Sequence, residues 1–213
     1  MKTRQSLPLL WLLSDARNDA GLEGALRALP RGSGFVFRHY HLPPVERRAR
    51  FDELARIARA RGHKVILSGS EDWDADGSYG PTDRLGKGLK LATAHDGEEI
   101  VAAMAAGADG IFLSPVFPTA SHPGTSTLGV HGFHVLAQQS AVPVIALGGM
   151  NAERAIELDW PPGSDRWTGL LIDRREARAT ARSQRCDLSG RMSEDSRVSE
   201  CERRRLMQNK STA

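Results

Sequence analysis

The chain has 213 residues, is 40% hydrophobic and 26% charged, and has a pI near 9.1. This length can bury one sizeable α/β core without disulfides, the composition is ordinary for a soluble globular protein, and two cysteines exclude a disulfide framework. The basic balance is local: residues 174–213 carry 11 Lys/Arg against 6 Asp/Glu, whereas residues 1–173 carry 18 against 20. The body is nearly neutral, so the basic balance says little about its ligand, and the tail, without interleaved aromatics, predicts nonspecific adhesion only.

Short apolar runs alternate with helical patterns, the signature of parallel βα units. Leu9–Leu13 predicts the first strand, and Leu22–Leu29 a helix after it. Phe35–Arg38 predicts the second strand. Val45–Arg61 follows as an amphipathic helix, with Val45, Phe51, Leu54, Ile57 and Ala58 on its apolar side and Gly62 at its end. Lys64–Leu67 predicts a third strand and Ser78-Tyr79 only a stub of a fourth. Leu89–Thr93 and Ile111–Leu113 predict the fifth and sixth, flanking a helix over Asp96–Ala106 that Asp96 can cap. A helix over Phe133–Gln139, a seventh strand over Pro143–Leu147, a helix capped by Asn151 and an eighth strand over Trp167–Ile172 complete the series. Eight strands in this length predict a compact (β/α)8 TIM barrel, with residues 1–173 as its domain. An open doubly wound sheet is the competing arrangement, but no GxGxxG follows the first strand.

Residues 174–213 hold only Leu188, Val198 and Leu206 as large aliphatics, so a polar, disordered tail outside the core is expected. A shifted coding frame is one origin for such a change of character. Cys186 and Cys201 both lie there, without metal-ligand or disulfide spacing. The cysteine-free body fits a reducing cytoplasm. The run Leu7–Leu13 is short for a signal peptide and contains Pro8, and nothing approaches the roughly 20 apolar residues of a membrane span.

Barrel active sites gather at the C-terminal ends of strands. Two stretches there carry chemistry. Ser114-Pro115-Val116-Phe117-Pro118-Thr119-Ala120-Ser121-His122-Pro123-Gly124 offers hydroxyls and an imidazole to an anion. Ala146-Leu147-Gly148-Gly149-Met150-Asn151 joins a strand to a helix through two glycines, which let backbone N–H groups approach a phosphate. His39 and His41 form an HxH pair whose strand alternation would place both on one face, a minor metal-binding alternative.

Residues 107–119, Gly-Ala-Asp-Gly-Ile-Phe-Leu-Ser-Pro-Val-Phe-Pro-Thr, resemble the GADYxxxGPVFPTxTK motif of thiamine-phosphate synthases, and Leu128-Gly129 its following LG element. Pro143–Met150 resembles the family's PVxAIGGI. Weaker echoes occur at Ser14-Asp15, Asp76–Gly80 and Thr93–His95, so the resemblance covers about residues 7–158. It implies transfer of a hydroxymethylpyrimidine from its diphosphate to a thiazole phosphate, with Mg2+ as cofactor. The implied partners are small phosphorylated substrates; no specific nucleic acid or membrane is implied, and the oligomeric state is left open. Carried over by position, Arg38 is the diphosphate-binding arginine and Asp83 the magnesium carboxylate. Thr93, Thr119, Ser121, Gly148 and Gly149 serve substrate phosphate, and His122 takes the place of a lysine. The departures are Val36 for Gln, Tyr40 for Lys, Ser68-Gly69 for Asn-Asp, and Asp173 near the last phosphate motif. They favour one alternative, a non-catalytic phosphate-ligand-binding paralogue; a second is the related thiazole tautomerase, which shares the barrel and phosphate site. Pro115 stands where the tautomerase has its histidine.

Overall fold

The computed structural model describes residues 7–119, 124–158 and 167–171, the last segment in backbone only. In chain order the elements are β1 (Leu10–Leu13), α1 (Leu22–Ala28), β2 (Gly34–Phe37), α2 (Pro44–Ala60), β3 (Lys64–Ser68), β4 (Gly77–Gly80), β5 (Leu89–Ala94), α3 (Gly97–Ala105), β6 (Gly110–Leu113), α4 (Gly129–Ala137), β7 (Val144–Ala146), α5 (Ala152–Glu157) and β8 (Trp167–Leu171). Strands β1 to β7 form one curled parallel sheet in sequence order. The β8 backbone pairs in parallel with β7 and with β1.

Residues 35 and 37 of β2 face outwards and residue 36 inwards, as period-two alternation requires. Outer side chains such as Phe35, Phe37, Val65 and Ile111 meet the helices in one apolar cluster. Inner ones, including Trp11, Val36, Ile66, Tyr79, Phe112 and Ile145, fill the interior. Trp11 meets Phe112 edge-on at 5.5 Å, and Phe112 meets Tyr79 in the same way at 5.1 Å. Each buried aromatic contributes about 2–3 kcal/mol, so the interior is a packed core. Gly34 is required here: a Cβ on it would run into the Trp11 indole.

Helix α2 buries Phe51, Leu54, Ala55, Ile57 and Ala58, with Pro44 in its first turn and Gly62 at φ +71° just past its end. Val45 does not join that face: it is 83% exposed, because the stripe begins two residues later, at Arg47. Asp96 and Asn151 cap α3 and α5, accepting from Glu99 N and Arg154 N. Helix α4 starts at Gly129, four residues before the apolar pattern beginning at Phe133.

Two expectations change. The fourth strand is not a stub: Gly77–Gly80 pairs with both neighbours, and glycine is needed at 77 because Leu89 lies where its Cβ would be. Nor does a helix follow every strand. Among the described residues β3 runs to β4 through a loop, and β4 to β5 through a single 3-10 turn at Thr82–Arg84. Trp73, from the β3–β4 loop, packs on Phe51 at 5.1 Å and beside Phe37 at 6.4 Å. No described helix is long and apolar enough to cross a membrane. The expected tail, with Cys186 and Cys201, lies outside the described residues.

Candidate active site

Alternation carries the inner face on to Asp15, Arg38, Ser68, Thr93, Ser114 and Leu147 at the C-terminal strand ends. Arg38 is half-buried, and its guanidinium has no hydrogen-bond or ion-pair partner among the described residues. Its charge reaches two neighbours. Burial pushes Tyr79 up to about 12 against the opposing field of Arg38. Burial also raises Asp15, but hydrogen bonds from Arg17, helped by the fields of Arg17 and Arg38, hold it below the usual carboxylate range.

The ends of β2 and β3 are tied together by Arg47, which is 5% exposed. Its Nε donates to Arg38 O at 3.1 Å and its Nη2 to Ser68 O at 2.5 Å, while Nη1 pairs with the Glu71 carboxylate. The guanidinium also lies over the rings of Phe37, Tyr40 and Trp73, at 5.1–5.6 Å. Ser68 Oγ donates to Tyr79 O at 3.1 Å and meets the Tyr40 hydroxyl.

Across the ring, the two motif stretches are zipped together. Val116 N donates to Leu147 O at 2.9 Å and Phe117 N to Gly148 O at 3.0 Å. Gly148 (φ +95°) and Gly149 (φ +62°) adopt conformations that favour glycine. A Cβ on Gly148 would sit 2.8 Å from Pro115 Cα, and one on Gly149 would strike Pro118 O and lie 2.9 Å from Phe117 O. The glycine pair is thus needed first for close packing against the β6 loop. Arg154 caps this junction, donating to Gly149 O and lying 5.1 Å above the Phe117 ring. The amides of Gly148 and Gly149 find no acceptor among the described residues.

The expected site residues therefore divide. Arg38 and Thr93 lie on the inner face at strand ends, Thr93 paired in register with Phe112. Thr119 follows Pro118, whose carbonyl abuts Gly149. Asp83 is exposed in the 3-10 turn after β4. Ser121 and His122 lie outside the described residues, as does Asp173. Val36 is fully buried in the interior, so that position presents nothing to the mouth. Composition did not single out Arg47, Glu71 or Tyr79. The signal for Arg47 was its spacing, four residues before Phe51 and seven before Leu54 on the apolar stripe of α2.

Magnesium prefers hard oxygen ligands and usually one or two carboxylates. Of the carboxylate positions that the resemblance implies, Asp83 is present, exposed in the 3-10 turn after β4, and the one at Ser68-Gly69 is missing. The hydroxyl and carbonyl of Ser68 are engaged within the protein, and a side chain on Gly69 would run into the Arg47-paired Glu71 carboxylate. No group of three or more His, Cys, Asp or Glu able to hold a metal occurs among the described residues. The HxH pair is likewise no metal centre. His39 leaves the strand at φ +32°, and both its ring nitrogens are hydrogen-bonded, to Ser14 and to Asp19.

A family model described as thiamine monophosphate synthase matches residues 84–159. The chain is 25% identical over 170 residues to a thiamine-phosphate synthase of Geobacillus thermodenitrificans, covering 70% of this chain and 77% of that protein. It is 28% identical over 120 residues to the enzyme of that name from Chloroflexus aurantiacus, covering 50% of this chain and 56% of the relative. The chain thus spans about half the length of the latter. The solved thiamine phosphate pyrophosphorylase of Pyrococcus furiosus shares the fold with a TM-score of 0.65 at 21% identity, over 85% of this chain and 98% of that one. The matched span contains the β6 loop and the Gly148-Gly149 turn that the structure zips together, so the similarity to thiamine-phosphate synthases includes the segments that build this junction.

Proposed function

We propose that this chain is a thiamine-phosphate synthase-like transferase, built as a (β/α)8-type barrel over residues 1–173, with 174–213 outside the catalytic unit and a cytoplasmic setting. In the proposed reaction the bond between the pyrimidine methylene carbon and the diphosphate oxygen breaks, and diphosphate leaves with the electron pair. The thiazole nitrogen lone pair then forms the new carbon–nitrogen bond, giving thiamine phosphate.

The central demand is stabilisation of a departing anion. Arg38, one residue past β2 on its inner face, supplies a guanidinium that has no partner among the described residues. His122 is assigned the place of the family's lysine after the Thr119 and Ser121 hydroxyl pair. Thr93, Thr119 and Ser121, with the amides of Gly148 and Gly149, are assigned to the thiazole phosphate. The observation that carries this reading is the zipped junction of Val116, Phe117, Leu147 and Gly148, which brings two separate motif segments together at adjacent strand ends. No step is assigned to magnesium, and Asp83 is the one carboxylate of this chain that would hold it.

The test is incubation of the purified protein with both phosphorylated precursors, with and without magnesium, and chromatography for thiamine phosphate. Product that disappears in Arg38→Ala supports the reading. Binding of thiamine phosphate without turnover would replace it with the binding paralogue. Absence of both would overturn it.

A further inference from the structure

Ser14, just past β1, and His39, two residues past β2, are 0% and 1% exposed. Ser14 Oγ lies 2.7 Å from His39 Nδ1, and His39 Nε2 lies 2.8 Å from Asp19 Oδ1. Serine, histidine and aspartate in this order have the form of a nucleophilic triad. Ser14, however, has no access to solvent, and its oxygen already accepts from Arg38 N at 2.9 Å. That arrangement suits positioning and not attack.

The proton order follows from the partners. Burial raises the Asp19 carboxyl, but hydrogen bonds from His39 and Arg50 more than offset this, and it is held below its ordinary range. As an ionised acceptor it fixes the proton on His39 Nε2. Nδ1 then accepts from Ser14 Oγ–H, and the serine oxygen accepts from the Arg38 amide. Burial holds the imidazole below its ordinary pKa despite Asp19, with His41 and Arg50 adding to the lowering. The ring is also stacked on Phe37, with centroids 4.8 Å apart and planes 4° from parallel, and lies 5.1 Å from His41. These contacts hold the His39 backbone at φ +32°, uncommon for a residue with a side chain.

The consequence falls on Arg38. Its amide is held by Ser14 and its carbonyl by Arg47 Nε, while its guanidinium is without a partner among the described residues. We propose that Ser14, His39 and Asp19 are positioning residues for Arg38, fixing its main chain so that the guanidinium is presented, preorganised, to the diphosphate or phosphate group of the ligand. This inference rests on the anion-binding role proposed above for Arg38.

The probe is inorganic diphosphate, titrated calorimetrically into the full chain, with exchange of the Arg38 amide followed by NMR. Arg38→Ala is expected to weaken binding about 10-fold or more. Ser14→Ala is expected to speed exchange of the Arg38 amide and weaken binding about 5-fold, with no further loss when added to Arg38→Ala. Asp19→Ala, at the outer end of the chain, should act in the same direction if the Ser14 variant does not fold. Faster exchange with unchanged affinity, or losses that simply add to that of Arg38→Ala, would overturn the proposal. If Arg38→Ala itself leaves diphosphate binding unchanged, the anion-binding role fails. Amide exchange in the Ser14 and Asp19 variants then decides the main-chain part separately: acceleration upholds it and no change overturns it.

Discussion

Replacing Gly149 by alanine tests whether the two motif segments depend on close backbone approach. The residue sits at φ +62°, where an L side chain costs about 1–2 kcal/mol. Its Cβ would also strike Pro118 O and approach Phe117 O at 2.9 Å and Arg154 Nη1 at 2.8 Å. The arginine tip can swing away, but the two carbonyls belong to a segment already hydrogen-bonded to Leu147 and Gly148. Forcing them apart adds about 1–3 kcal/mol, the range of a small overpacking change. The expected total is about 2–5 kcal/mol, or roughly 5–15 °C in Tm for a chain of this size. Gly107→Ala is the control: its φ is +74°, and nothing lies within 4 Å of an added Cβ. It should lose only the conformational part. Equilibrium urea unfolding of both variants gives the comparison, and thiamine phosphate titration should show weakened binding for Gly149→Ala alone. Equal stability losses, within about 0.5 kcal/mol, would refute the close-approach explanation.

Arg47→Ala leaves the Arg38 and Ser68 carbonyls without their donor and Glu71 without its cation, and should cost about 2–4 kcal/mol in thermal unfolding. Arg47→Lys should recover less than half, since one ammonium cannot span three acceptors in the guanidinium geometry. Burial lowers both His39 and His63 from the ordinary value of 6.5, so over the window below 6.5 the unfolded chain binds more protons than the folded one. Stability should therefore be full above pH 6.5 and be lost as pH falls through the lowered folded-state values. Tm measured from pH 7.5 to pH 5 checks this, and His39→Gln should flatten the profile.

The outer architecture was legible because its signals are local. The apolar runs Phe35–Phe37 and Ile111–Leu113 lie within the observed strands, and Asp96 and Asn151 cap the helices expected of them. Strand β4 was underread because its sequence, Gly-Ser-Tyr-Gly, has little strand propensity; pairing on both edges and the lack of a Cβ at Gly77 place it. In the site, Gly148 and Gly149 were legible from a strand-to-helix turn. The Ser14–His39–Asp19 chain was not, because its members are 25 and 20 residues apart and meet only when β1 and β2 lie side by side. Likewise the engagement of Ser68 by Tyr40 and Arg47 depends on three elements converging, which no spacing announces.

The β3–β4 connection has a consequence for motion. Five of the other connections shield the sheet with helices that are themselves cooperative units, whereas here one indole, under the guanidinium groups of Arg47 and Arg48, covers Phe37 and Phe51. A loop anchored by one large ring opens by a few dihedral rotations, without unravelling a ladder of hydrogen bonds. This sector is therefore the thin wall of the molecule, where native-state breathing should begin. Because Arg47 touches both the indole and the Arg38 carbonyl, each such opening would reach the β2 end of the mouth first.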